Sequence, residues 1–260
     1  MKLRTMLKKR SSIQKTEYRG PLVAFAGADD PTFNKLCDIG AKGHCHPKSL
    51  LKNARTIISY FIPFTESVVE SNNIDGLSSL EWVIAYVETN KLILDLGHHL
   101  KTIIGKGGFE TYVPKPTSNF DKKTLVESQW SHKHVAYIAW LGTFGMHSMI
   151  ITERGCAGRL GSVITELYVE NTSASYSQSE TAAKKLCPCN DDGNIPPCIE
   201  RCTFGALTED SLDKFLCYKQ CLKNAEHFRD FPLADICGKC ASGVPCSLKI
   251  PGKINIKTGK

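Results

Sequence analysis

The stretch Trp130–Leu167, WSHKHVAYIAWLGTFGMHSMIITERGCAGRLGSVITEL, decides how this chain is read. Two short runs rich in β-branched residues, Ser148–Thr152 and Gly161–Val169, are predicted strands. Between them, ERGCAGRLG is too glycine-rich for regular structure and is expected to bring main chain close to something. Gly142, Gly145, Gly158 and Gly161 fit either close approach to a ligand or simple turn chemistry.

Upstream, from about Pro21, β-branched runs alternate with helical periodicity, as α/β or α+β domains do. Thr56–Ile62 reads as a buried strand stopped by Pro63. Residues 78–105 read as a long helix with a capping box at Ser78 and Glu81 and a stop at Gly105. Leu80, Val83, Ile84, Val87, Leu94, Leu100 and Ile104 are expected near one face, covering a sheet. His98 and His99 are expected to be exposed near its C-terminal end. Downstream, Asn171–Ala183 is a polar linker and GKINIKTGK a basic tail. The expected division is residues 1–180 as one domain and 181–260 as a second, smaller one.

The chain has 260 residues, 42% hydrophobic and 23% charged, enough to bury a core. Its net charge of +7 permits anionic partners without choosing among them. No run approaches the ~20 apolar residues that span a bilayer. The basic start lacks an apolar h-region, so no membrane association and a reducing cytoplasm are expected. There, cysteines bind metal or do redox work more often than they form disulfides.

Nine of the 12 cysteines fall between Cys187 and Cys246. They lie in CPCNDDGNIPPCIERCTFGAL, CYKQC and CGKCASGVPC. Cys-x2-Cys elements build tetrahedral zinc sites as well as cluster sites, so zinc stands as the alternative to iron–sulfur. Cys37, Cys45 and Cys156 stand apart, and the His44–His46 HCH triplet lacks a nearby partner pair.

The Cys198-x3-Cys202 segment followed by TFGAL resembles the end of a bacterial ferredoxin run. That resemblance implies one cluster on Cys187, Cys189, Cys198 and Cys246, and a second on Cys202, Cys217, Cys237 and Cys240. Cys221 is left over, or replaces Cys217. Thr203 stands where the ferredoxin pattern has proline.

Trp130–Leu167 resembles the cobalamin-binding core shared by epoxyqueuosine reductases and reductive dehalogenases. The matching positions are Ala136, Ala139, Leu141, Gly142, Gly145 and His147, then Arg159, Gly161, Val163 and Thr165. Trp140 departs from the pattern, standing at its first glycine. The resemblance implies an α+β fold, a nitroreductase-like cobalamin-binding domain followed by a small ferredoxin-like domain with two [4Fe–4S] clusters. It implies a corrinoid site drawing on Trp130, Gly142, Gly145, His147, Gly158, Arg159, Gly161 and Ser162. For proton donation it points to Glu127, His132 and His134, with Lys133, Asn119 and Asp121 near the same pocket.

The leading expectation is a cobalamin-dependent iron–sulfur oxidoreductase acting on a small-molecule substrate. Its electrons come from a low-potential donor such as ferredoxin or flavodoxin. Three others stand beside it: an electron-transfer partner that reduces the corrinoid of another protein, a corrinoid-binding module without turnover, and an epoxyqueuosine-tRNA reductase. The last is placed behind because the helical-repeat extension of many tRNA-acting members is absent.

Overall fold

All eight residues of strand β2, Thr56–Pro63, are buried, which an antiparallel strand achieves only when both faces of its sheet are covered. The computed structural model describes residues 16–36, 43–115, 121–123, 125, 128–171 and 195–251. Its other strands are β1 (Leu22–Gly27), β3 (Thr111–Tyr112), β4 (Thr143–Phe144), β5 (Ile150–Ile151) and β6 (Gly158–Thr165). The helices are α1 (Thr32–Lys35), α2 (Pro47–Leu50), α3 (Glu66–Ser71), α4 (Leu80–Lys106), α5 (His132–Ile138), α6 (Pro197–Glu200) and α7 (Lys214–His227). Strands β1, β2, β6 and β3 form one antiparallel sheet in that order, while β4 pairs with β5. No described helix is long and apolar enough to cross a membrane.

The two-residue period of β2 sorts its side chains between two layers. Ile57 and Phe61 pack with Val135, Ala136 and Ile138 of α5 and with Trp130. Ile58 packs with Val163, Leu100 and Ile104, and Tyr60 and Ile62 with Ile93, so α4 covers the opposite face. The register places Ile57 opposite Ile164 and Ile58 opposite Val163, which keeps β2 and β6 in phase. Each such side chain, fully buried, contributes about 2 kcal/mol.

Strand β5 keeps only Ile150–Ile151 of the expected Ser148–Thr152 run, and two further elements differ from the sequence expectation. Strand β6 begins at Gly158, inside the stretch expected to be irregular, and ends at Thr165 rather than Val169. Its glycines are a packing need: a Cβ on Gly158 would stand 2.4 Å from Ile62 O, and one on Gly161 2.4 Å from the Tyr60 ring. Helix α4 is capped by Ser79, whose hydroxyl accepts Trp82 N–H at 3.1 Å, instead of by Ser78. Ser78 is held elsewhere, its N–H on Asn224 Oδ1 at 2.7 Å and its hydroxyl on Cys237 O at 2.8 Å. The helix runs past Gly105 to a C-cap at Gly107. Its buried face carries Trp82, Val83, Tyr86, Thr89, Ile93, Gly97 and Ile104; of the expected stripe Val83 and Ile104 are buried, while Leu80, Ile84, Val87, Leu94 and Leu100 are half-buried.

Trp140 has φ 65°, left-handed backbone that a non-glycine residue adopts at a cost of roughly 1–2 kcal/mol. It is the residue after the C-cap of α5, where Leu141 N–H reaches back to Ala136 O at 2.9 Å and Trp140 N–H to Tyr137 O at 3.0 Å. That hydrogen-bond pair is a Schellman ending, whose left-handed position usually takes glycine.

Residues 195–251 pack on the sheet-and-helix body through an apolar core that joins Phe64, Trp82 and Ala157 to Cys198, Leu207, Ala241, Val244 and Cys246. Buried Asn72 locks the two parts together. Its amide donates to Cys237 O at 3.1 Å and its Oδ1 accepts from Ser79 N at 3.0 Å and Lys239 Nζ at 3.3 Å. The expected division at 180/181 lies outside the described residues.

Candidate metal centre

The cysteines of the C-terminal part arrive on four local structures. Cys198 sits in the first turn of α6, where Pro197 is tolerated because its missing N–H would have no helical partner. Cys202 follows one turn later, its N–H on Ile199 O at 2.8 Å. Cys217 and Cys221 are four apart on α7, hence on one face. Asp213 starts that helix, its carboxylate accepting from the N–H groups of Phe215 and Leu216 at 2.8 and 3.0 Å.

Cys237 and Cys240 flank a tight turn at Gly238, whose φ of 73° is left-handed. A Cβ there would lie 2.2 Å from the Trp82 ring, so the turn is pressed onto the start of α4. Cys246 is set by pairing with the lead-in to β6. Cys156 N–H donates to Cys246 O at 2.9 Å and Ala157 N–H to Ser247 O at 3.0 Å. Arg19 clamps the same crossing, donating to Phe64 O, Leu248 O and Arg154 O at 2.7–2.8 Å.

These thiols converge. Burial, followed by the charges of Cys217, Cys237, Cys202 and Cys198, pushes Cys240 above the usual thiol range. Cys237 is raised to about 11, by burial first and then, among other neighbours, by Cys217 and Cys202. Cys217 moves the other way, to about 7, chiefly through its neighbour Cys221 and with help from the Lys133 ammonium. Cys246 is lowered by the hydrogen bond from Cys156 and then that from His147, against the opposing effect of burial. Half-buried Cys202, Cys217, Cys237 and Cys240 and buried Cys198 and Cys246, which repel one another as thiolates, suit a cationic metal core that removes the repulsion by ligation. The donor set therefore fits thiolate-bound iron–sulfur. Cys187 and Cys189 lie outside the described residues.

Cys156, set apart on sequence because it belongs to the other domain, lies against this group. His147, Cys156 and Cys246 are all buried, with ligand atoms within 4.8 Å of one another. The signal was present in Gly155-Cys156-Ala157-Gly158: Gly155 has φ 80°, and a Cβ there would stand 2.3 Å from Ser247 O. Main chain is indeed brought close at this point, to Ser247 and Leu248 of the same chain.

The eight residues expected around a corrin fall into separate surroundings. Trp130 and Ser162 are interior, the indole N–H donating to Ser162 Oγ at 2.9 Å. Gly142 is crowded by Ile151 O at 2.4 Å and Gly145 by the His147 ring at 2.7 Å. Gly158 and Gly161 are filled by β2, and Arg159 donates to Asn90 at 2.7 Å while lying over the Tyr86 ring at 4.4 Å. His147 turns to Cys246. Each of the four glycines has a close neighbour from the chain's own packing.

The proton-donor candidates also diverge. His132 Nε2 donates to Lys115 O at 3.1 Å, and its Nδ1 accepts from Ser162 Oγ at 2.8 Å. Both ring nitrogens are thus committed in the neutral form. Lys133 donates to Ser148 O at 3.0 Å and faces Cys240 and Cys217. His134 meets Ser131 Oγ at 2.8 Å and the Phe144 ring. Asp121 is exposed and caps Lys123 N–H at 2.7 Å. Glu127 and Asn119 lie outside the described residues. In the HCH triplet, His44 packs on Trp130 and His46 caps α2, so the two imidazoles serve different structures. His98 and His99 are exposed, as expected.

Burial lowers His132 to about 4, below its ordinary 6.5. The unfolded chain then binds the extra proton first, so this contribution to stability is complete above pH 6.5 and declines as pH falls toward 4. The loss amounts to roughly 3 kcal/mol. Denaturant titrations at pH 7 and pH 4 should show the unaltered protein losing about that much more stability than His132→Asn.

No family model matches the chain, and no curated protein does. Solved structures of epoxyqueuosine reductases do. The enzyme from Streptococcus thermophilus aligns with a TM-score of 0.53 at 16% identity, covering 98% of this chain and 69% of that one. A selenomethionine-labelled epoxyqueuosine reductase aligns at 0.56 and 17% identity, covering 95% and 66%. The Bacillus subtilis enzyme aligns at 0.52 and 18% identity, covering 95% and 65%. The chain spans about two thirds of their length. At such identities the likeness is one of fold, and this mixed helix-and-sheet protein shares the fold of the epoxyqueuosine reductases.

Proposed function

We propose that this chain is an iron–sulfur oxidoreductase of the epoxyqueuosine-reductase type. Its two [4Fe–4S] clusters would sit on Cys187, Cys189, Cys198 and Cys246, and on Cys202, Cys217, Cys237 and Cys240. The observation that carries this is that Cys198, Cys202, Cys240 and Cys246 share one core with the sheet-and-helix body, with Cys217 and Cys237 within electrostatic reach of Cys240. Cys221, four residues from Cys217 on α7, stands as the alternative to Cys217 as ligand. The neighbours favour epoxyqueuosine as substrate over an unassigned small molecule, which reverses the order set from the sequence. Removal of the epoxide oxygen as water consumes two electrons and two protons, and the clusters are the route for the electrons.

Cobalamin remains part of this proposal as a cofactor near Trp130, Gly142, Gly145, His147, Gly158, Arg159, Gly161 and Ser162, and no step is assigned to it. His132, with both nitrogens engaged, serves as a positioning residue for Trp130 and Ser162. Glu127 and His134 are the remaining candidates for proton donation.

The test is anaerobic reconstitution of the full chain. About eight irons per chain are expected, with conversion of epoxyqueuosine in a tRNA stem loop when cobalamin and a low-potential donor are supplied. Zinc in place of iron would defeat the proposal. Iron without conversion would leave the electron-transfer reading, in which the chain reduces the corrinoid of another protein. That reading draws on the outer face of α7, where exposed Phe215, Leu216 and Leu222 lie among Lys214, Lys219 and Lys223. Such a face suits an acidic redox partner.

A further inference from the structure

Cys246 Sγ is met by two side chains from the sheet-and-helix body. His147 Nε2 lies 3.3 Å from it and Cys156 Sγ 3.9 Å. What else His147 touches settles its direction: Nδ1 accepts Met149 N–H at 3.1 Å, so the neutral ring carries its proton on Nε2, aimed at the sulfur. The Cys156 thiol likewise donates to Cys246. All three side chains are at most 5% exposed. The two main-chain bonds between 156–157 and 246–247 hold the pair in place, and the crossing is tight enough to demand glycine at 155.

On the reading that Cys246 binds a cluster, we propose that His147 and Cys156 are paired hydrogen-bond donors to its ligand sulfur that set the reduction potential of that one cluster. One-electron reduction adds negative charge that spreads onto the ligand sulfurs. A donor aimed at sulfur stabilises the reduced form more than the oxidised one, and raises the potential. Water is excluded here, so the effect is not screened away. The electron gained by this cluster is lost by its neighbour on Cys202, Cys217, Cys237 and Cys240, and both donors keep their protons.

Ligands of a single tetrahedral ion with metal–ligand bonds of 2.0–2.3 Å would stand about 3.5–3.8 Å apart. A four-iron cluster instead places each cysteine on a different iron. The 3.3 and 3.9 Å spacings therefore leave one competitor, a lone zinc held by all three side chains, and the experiment must separate it.

The full chain, reconstituted anaerobically, would be titrated with reductant while each cluster is followed by electron paramagnetic resonance. Iron, sulfide and zinc would be counted alongside. Cys156→Ala and His147→Leu should keep about eight irons. In each, one cluster's ratio of reduced to oxidised form at fixed poise should fall roughly tenfold, which is ~59 mV for a one-electron couple. The other cluster should not move. Cys156→Ser and His147→Gln, which restore an O–H or N–H donor, should recover most of the shift; a merely structural role would not track donor chemistry in this way. Unchanged potentials with full iron would overturn the inference and leave the cluster reading intact. Loss of four irons in Cys156→Ala would make Cys156 a ligand and overturn it too. If Cys246→Ala keeps all its iron while a zinc disappears, the cluster assignment itself falls.

Discussion

Cys240→Ala should hold about four irons per chain where the unaltered protein holds about eight. Cys240 is the sulfur most surrounded by others, within electrostatic reach of Cys217, Cys237, Cys202 and Cys198. Removing it takes one corner ligand from the second cluster, while the ligands assigned to the first are untouched. The effect on stability separates ligation from packing. Without metal, replacing a buried thiol by a methyl should cost only about 1 kcal/mol, the ordinary size of a core substitution. With metal, the binding energy of a whole cluster is forfeited, and ligand binding to the folded state alone is folding energy. Chemical unfolding under anaerobic conditions should therefore show a large gap between variant and parent that closes once both are stripped by a chelator. A variant that keeps its full iron, or a gap of the same size in stripped protein, would defeat the assignment of Cys240.

Gly238→Ala should destabilise the protein by about 3 kcal/mol, against about 1 kcal/mol for Gly205→Ala. Both glycines are left-handed, with φ 73° and 69°, so the strain of an added Cβ is common to the two. They differ in what the Cβ meets: nothing within 4 Å at Gly205, but the Trp82 ring at 2.2 Å at Gly238. Trp82 has little room to withdraw. It is 3% exposed, lies in the first turn of α4, and packs edge-on against Phe64 with ring centroids 5.2 Å apart. Overpacking is thus added to strain at one site only. Because Gly238 lies between Cys237 and Cys240, its variant should also lose iron before Gly205→Ala does. Equal unfolding midpoints for the two variants would show that the loop is not pressed onto α4 as described.

Local pattern was enough to find β2, because a β-branched run ending at proline needs no knowledge of what surrounds it. The same holds for α4, whose 27 residues carry a helical period throughout. The concentration of cysteines pointed to a metal centre for a similarly local reason: thiols at such density in a chain expected in a reducing compartment have little else to do. Other features depended on contacts between residues far apart in the chain. Ser79 rather than Ser78 caps α4 because Asn224, 146 residues further on, holds the Ser78 N–H. Gly158 and Gly161 are glycines because Phe61 and Tyr60, on the neighbouring strand, lie where their side chains would go. Cys156 joins Cys246 across 90 residues because a left-handed Gly155 lets the main chain there touch Ser247 and Leu248. Helix periods, strand runs and metal-binding residue types are properties of neighbours along the chain, and the sequence alone determined those. Which serine caps, which glycine is crowded and which distant thiol points at Cys246 are properties of neighbours in space, and only the tertiary structure decided them.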